Sequence, residues 1–172
     1  ETSAVTLHKL NTLPRQQLIL ELTKCCGSPA WVSKMLPFFP ADDLVELLED
    51  AEEQWFKCSE EDWKHAFAQH PKIGDIDSLK KKFASTAAWA SGEQSGVNAA
   101  SQNTIEALAE ANKKYEDKFG YIFIVCATGK TAEEMLEILL SRLPNDPKEE
   151  IEIAADEQNK ITKLRLEKLL ND

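Results

Sequence analysis

The sequence predicts an all-α fold, and three observations point to it. Glycine and proline are sparse, 6 and 7 among 172 residues, beside many Ala, Leu, Glu and Lys, the mix that favours helix. Apolar residues recur at helical spacing in successive segments. One run alone has the short, apolar, β-branched character of a buried strand, Tyr121-Ile122-Phe123-Ile124-Val125-Cys126-Ala127. It has no second run to pair with, and a lone strand cannot satisfy its backbone groups, so a buried extended or short helical connector is expected there. A chain of this length fits one medium domain, residues 1–172, with a substantial core.

The elements follow in order. Residues from about Asn11 to Cys26 read as a first helix, with Thr12 as a cap, Pro14 in the first turn and Gly27 ending it. Ser28-Pro29 opens a short helix carrying Trp31, Val32 and Met35, which Pro37 stops. Pro40 and Asp42-Asp43 lead into a longer one, with Leu44, Val45, Leu47, Leu48, Ala51 and Trp55 on its apolar face. Ser59 and Asp62 form a variant capping box for the next helix. After Gly74 the pattern weakens: Leu79 and Phe83 sit on a basic helix, Lys80-Lys81-Lys82, and a stretch of small residues runs on to Val97. A long helix is expected from near Gln102 to Lys118, broken by Phe119-Gly120. Thr131-Ala132-Glu133-Glu134 is a capping box for a helix to about Arg142, and Asp146-Pro147 starts a last helix reaching Leu170.

Three positions on this framework carry chemistry. In Trp63-Lys64-His65-Ala66-Phe67-Ala68-Gln69-His70-Pro71-Lys72-Ile73-Gly74-Asp75, His70 falls on the face of Trp63, Ala66 and Phe67, and Pro71 disfavours helix at His70. An imidazole held there suits proton transfer near neutral pH, and equally a core histidine hydrogen-bonded at a helix end. Glu93, flanked with Gln94 by Gly92 and Gly96, is either an ordinary loop glutamate or a carboxylate turned inward by close backbone packing. On the last helix, Ile151, Ala154, Ala155 and Leu169 define a face that also holds Gln158, Thr162 and Arg165. A buried or half-buried arginine there needs an anion, from a carboxylate of this chain or from a ligand.

The composition also excludes classes. A formal net charge of −10 with no basic patch argues against a nucleic-acid binder. No apolar run is long enough to span a membrane, and the N-terminus has no signal-peptide core. The chain opens on Glu1 rather than methionine, as a trimmed or processed chain would, and ends Asn171-Asp172, which is not a peroxisomal tripeptide. Cys25, Cys26, Cys58 and Cys126 lack metal-ligand spacing and read as buried free thiols of a reducing cytoplasm. Three histidines without HExxH make zinc unexpected, so no metal site is expected.

The string Trp63-x-x-Ala66-Phe67-x-x-His70-Pro71-x-Ile73-Gly74 resembles the OHCU decarboxylases, which act on 2-oxo-4-hydroxy-4-carboxy-5-ureidoimidazoline on the route from urate to (S)-allantoin. The likeness continues through Ser91-Gly92-Glu93-Gln94 and Tyr115-x-x-Lys118-Phe119-Gly120-Tyr121-x-Phe123-Ile124-Val125-Cys126. It closes with Glu152-Ile153-Ala154-Ala155-x-Glu157-Gln158-x-Lys160-Ile161-x-x-Leu164-Arg165-Leu166-x-Lys168-Leu169, so it covers essentially the whole chain in order. The resemblance implies a helical homodimer without metal or organic cofactor, acting on a small ureide. On the matching positions, His70 would be the catalytic acid and Glu93 its orienting partner or the substrate's. Pro71, Ala90, Ser91, Gly92, Gln94, Phe123, Ile124, Val125 and Arg165 would line the substrate site. Ile73, Phe123 and Ile124 would exclude water, and a neighbouring carboxylate would raise the pKa of the imidazole. Rival readings are a helical protein-interaction module with no need of His70, and a cofactor-free ureide hydrolase or isomerase using the same residues.

Overall fold

The structure, a computed structural model, describes residues 2–70 and 95–171; for residues 2–6, 95–101 and 171 only the helical backbone is described. Within these residues there are eight α-helices, one short 3-10 turn and no strand, so the fold is all-α. The helices are α1 (Thr2–Asn11), α2 (Arg15–Cys25), α3 (Pro29–Met35), α4 (Leu44–Phe56), α5 (Glu60–Ala68), α6 (Ser95–Phe119), α7 (Ala132–Arg142) and α8 (Pro147–Asn171); the 3-10 turn, Leu36–Phe38, follows α3. Among the described residues, no helix is long and apolar enough to cross a membrane. The chain divides into two compact units, one of Glu1–His70, Ile124–Cys126 and Ile153–Asp172, the other of Pro71–Phe123 and Ala127–Glu152.

The first unit is built on three tryptophans whose ring N–H groups are all spent on backbone carbonyls. Trp31 donates to Ala51 O at 3.0 Å, Trp55 to Ala155 O at 2.9 Å and Trp63 to Trp55 O at 2.9 Å. The last of these acceptors belongs to the final turn of α4 and also accepts from Cys58 N at 3.1 Å. Trp63 thereby fixes the start of α5 against the end of α4, with its ring 6.0 Å from that of Trp55. Phe67, fully buried, meets Trp55 edge to face at 6.5 Å. Burial of each such ring stabilises the unit by about 1.5–3 kcal/mol.

Two boundaries in this unit differ from those the sequence suggests. Asn11 and Thr12 do not begin a helix; they end α1, whose Leu7 and Leu10 are buried. Thr12 Oγ1 donates back to Lys9 O, and α2 starts at Arg15 after Pro14, with no side-chain cap. Asn11 is used elsewhere, exchanging two amide bonds with Ala41, at 2.7 and 2.8 Å, just ahead of α4. On α4 the apolar face is narrower than expected: Leu47, Ala51 and Trp55 are buried but Val45 is 61% exposed. Ser28 and Asp43 cap α3 and α4 by accepting from Trp31 N and Glu46 N.

In the second unit α6 begins at Ser95, earlier than expected, and Gly120 ends it at φ +84°, the left-handed conformation that glycine adopts without cost. The expected capping box opens α7: Thr131 Oγ1 accepts from Glu134 N, and the Glu134 carboxylate from Thr131 N. Glu150 is fully buried, and its carboxylate accepts from Tyr115 Oη, Arg142 and Asn145. The run 121–127 forms no strand and no helix. In the first unit, its Cys126 N–H is satisfied by a side chain, Glu157 Oε1 at 2.9 Å, in place of a sheet ladder.

Candidate active site

The site is built at the end of α5. Ser59 and Asp62 close a reciprocal capping box at its start. Ala66 and Phe67 turn into the core, while His65 is exposed on the opposite side. The helix closes two residues before Pro71: Gln69 N bonds to Ala66 O, and His70 N to Phe67 O at 3.3 Å. His70 is thus held half-buried just beyond the cap.

It lines a cleft of about 270 Å³ with Leu20, Thr23, Lys24, Gly27, Ala66, Gln69 and Arg165. Sequence reasoning missed the α2 side of this cleft. Its signal was present: Leu20, Thr23, Lys24 and Gly27 stand at i, i+3, i+4 and i+7. Gly27 serves a close approach, because a Cβ there would stand 2.4 Å from Gln69 Cγ and 2.6 Å from Gln69 Cβ.

The expected apolar face of α8 is confirmed for Ile151, Ala154, Ala155, Gln158 and Thr162, all buried. Arg165 departs from it. It is exposed at the edge of that face, where Leu166 is buried instead. Its Nη1 donates to Lys24 O at 3.3 Å, a free carbonyl in the last turn of α2, where the helix dipole favours a cation. Among the described residues no carboxylate pairs with Arg165.

His70 Nε2 meets Gln158 Oε1 at 2.5 Å, and Gln158 Nε2 donates to Thr162 Oγ1 at 3.0 Å. Burial holds the His70 pKa below its ordinary value, against the Gln158 hydrogen bond and with help from the Arg165 charge. The resting imidazole is therefore neutral at pH 7. Glu93, expected to raise this pKa, lies outside the described residues, as do Pro71, Ala90, Ser91, Gly92 and Gln94. Ile124 is buried and Val125 half-buried in the same unit as His70, though neither is in the cleft lining. Phe123 belongs to the second unit, 4.7 Å from the Arg142 guanidinium.

All four cysteines are buried and none is in a disulfide, as the sequence suggests. Burial pushes Cys25 and Cys26 up to about 12 and Cys58 to about 11, so these three are thiols rather than nucleophilic thiolates at neutral pH. Among the described residues no cluster of three or more His, Cys, Asp or Glu side chains is arranged to hold a metal ion.

Comparison with known proteins adds a family to this geometry. The family profile described as OHCU decarboxylase matches residues 11–167. A protein of Arabidopsis thaliana named uric acid degradation bifunctional protein TTL is 40% identical over 151 residues, which is 86% of this chain and 46% of that protein. The 2-oxo-4-hydroxy-4-carboxy-5-ureidoimidazoline decarboxylase of Amia calva is 30% identical over 101 residues, 59% of this chain and 57% of its own. The chain spans about half the length of these two curated relatives. A crystal structure of OHCU decarboxylase in the presence of (S)-allantoin is similar with a TM-score of 0.71 at 38% identity, covering 88% of this chain and 98% of that one. A crystal structure of (S)-allantoin synthase, 17% identical with a TM-score of 0.68, shares the fold over 95% of this chain and 53% of that one.

Proposed function

The chain belongs to the OHCU decarboxylase family, and on that premise we propose that it decarboxylates 2-oxo-4-hydroxy-4-carboxy-5-ureidoimidazoline to (S)-allantoin in urate degradation, with His70 as proton donor. One observation supports this most: an imidazole and a guanidinium without a carboxylate partner among the described residues line the same small cleft. Such a pair suits a small anion that must lose CO₂ and then gain a proton.

The chemistry needs little else. Arg165 keeps donors spare for the planar fork that a carboxylate or ring oxygens accept. The bond to the carboxyl carbon breaks, CO₂ leaves, and the electron pair passes into the ring, which is its own electron sink. One ring carbon then takes one proton, and a fixed imidazole delivers it from a single face. His70, neutral at rest, takes up that proton once an anion is bound, because a negative neighbour favours the imidazolium.

In this reading Glu93 orients His70 or the substrate. Pro71, Ala90, Ser91, Gly92, Gln94 and the Phe123, Ile124, Val125 segment complete the substrate site, on the strength of the motif match alone. The 172 residues then act as one domain of a cytoplasmic homodimer that uses no cofactor or metal. Family membership does not favour the interaction-module alternative. The test is an assay of CO₂ release and of the optical rotation of allantoin with freshly generated substrate. Accelerated CO₂ release with a single enantiomer is expected; release at the uncatalysed rate, giving racemate, would refute the reading.

A further inference from the structure

Gln158 is fully buried and Thr162 is 2% exposed, and neither is among the residues that line the cleft. They are nevertheless joined to His70. The Thr162 hydroxyl oxygen serves as an acceptor. It accepts from Gln158 Nε2 at 3.0 Å, which turns the other end of the amide, Oε1, toward His70. A carbonyl oxygen only accepts, so the ring nitrogen 2.5 Å away must carry hydrogen. Residues four apart on α8 lie on one face, which keeps Gln158 and Thr162 in register.

We propose that Thr162 and Gln158 form a buried hydrogen-bond relay that holds His70 as the Nε2–H tautomer and leaves Nδ1 as the nitrogen that exchanges protons with the cleft. Gln158 and Thr162 are then positioning residues that act through His70. The reversed amide would turn its NH2 group toward His70 and its oxygen toward Thr162, and would call for the opposite tautomer. The catalytic consequence rests on the reading of His70 as the acid; the tautomer does not.

Nitrogen-15 NMR of the imidazole in the full, unliganded chain at neutral pH tests the relay. The expected spectrum shows a protonated Nε2 and an unprotonated Nδ1. Thr162→Val, which removes the acceptor, should raise the Nδ1–H population several-fold and lower kcat about tenfold with KM little changed. Thr162→Ser restores the hydroxyl and should restore both. A wild-type spectrum dominated by Nδ1–H would overturn the relay, as would a Thr162→Val protein with an unchanged tautomer ratio. A chain that shows the tautomer shift but no decarboxylation upholds the relay and fails the functional reading alone.

Discussion

Two buried polar clusters, one in each unit, use side chains of α8 in opposite ways. In the second unit, Glu150 is charged and closed in. Arg142 Nε donates to it at 2.9 Å, Arg142 Nη2 and Tyr115 Oη donate as well, and Asn145 Nδ2 takes its other oxygen at 3.0 Å. The Arg142 guanidinium also lies over the Phe123 ring. Burial pushes the Tyr115 phenol up, so it stays a donor. In the first unit, the cluster of Gln158 and Thr162 is uncharged, and it ends on an imidazole that lines a cleft. A closed ion pair has no reason to change state, whereas an imidazole with one face supported and one face on a cleft can gain and lose a proton. The difference separates a group that holds structure from one that is free to exchange a proton.

The contrast breaks most visibly at the closed cluster. Arg142→Ala leaves a carboxylate buried and uncompensated, and should cost about 3–5 kcal/mol of stability in denaturant titrations. A loss below about 1 kcal/mol would show that water reaches Glu150. His70→Gln reverses the pattern: the melting temperature should hold while turnover falls about 10²-fold or more. The same change at exposed His65 should leave turnover near normal, and a His70 variant with wild-type rates would remove the imidazole from the reaction. Arg165→Lys keeps the charge and loses the planar fork, so KM should rise about tenfold in a protein that stays folded. If instead stability falls and KM does not change, the bond to Lys24 O is all that Arg165 provides.

The smallest effect is a pH dependence of stability. Between the depressed folded pKa of His70 and its unfolded value of 6.5, the unfolded chain binds a proton that the folded chain refuses. Stability therefore rises with pH across that window and is lost as pH falls through it. Chemical denaturation should show wild type losing more stability on acidification than His70→Gln, which has no such proton to bind. Parallel losses in the two proteins would place the sensitivity elsewhere.

What the sequence by itself determined is local. The capping boxes at Ser59 and Thr131 form as expected, because each needs only residues three apart. The absence of strand in residues 121–127 followed from the lack of a second run, and the motif around His70 carried the family likeness. The tertiary structure alone decided the rest. Helical spacing placed Arg165 on the face of Gln158 but could not say how wide that face is; Leu166 takes the buried position and Arg165 its edge. Val45 was lost from the α4 face in the same way. The bond from Gln158 to His70 joins residues 88 apart in sequence, and that from Arg165 to Lys24 residues 141 apart. Periodicity states which side chains share a face; which carbonyl or ring nitrogen that face meets is set by packing, because hydrogen bonds across elements depend on distances that no local pattern encodes.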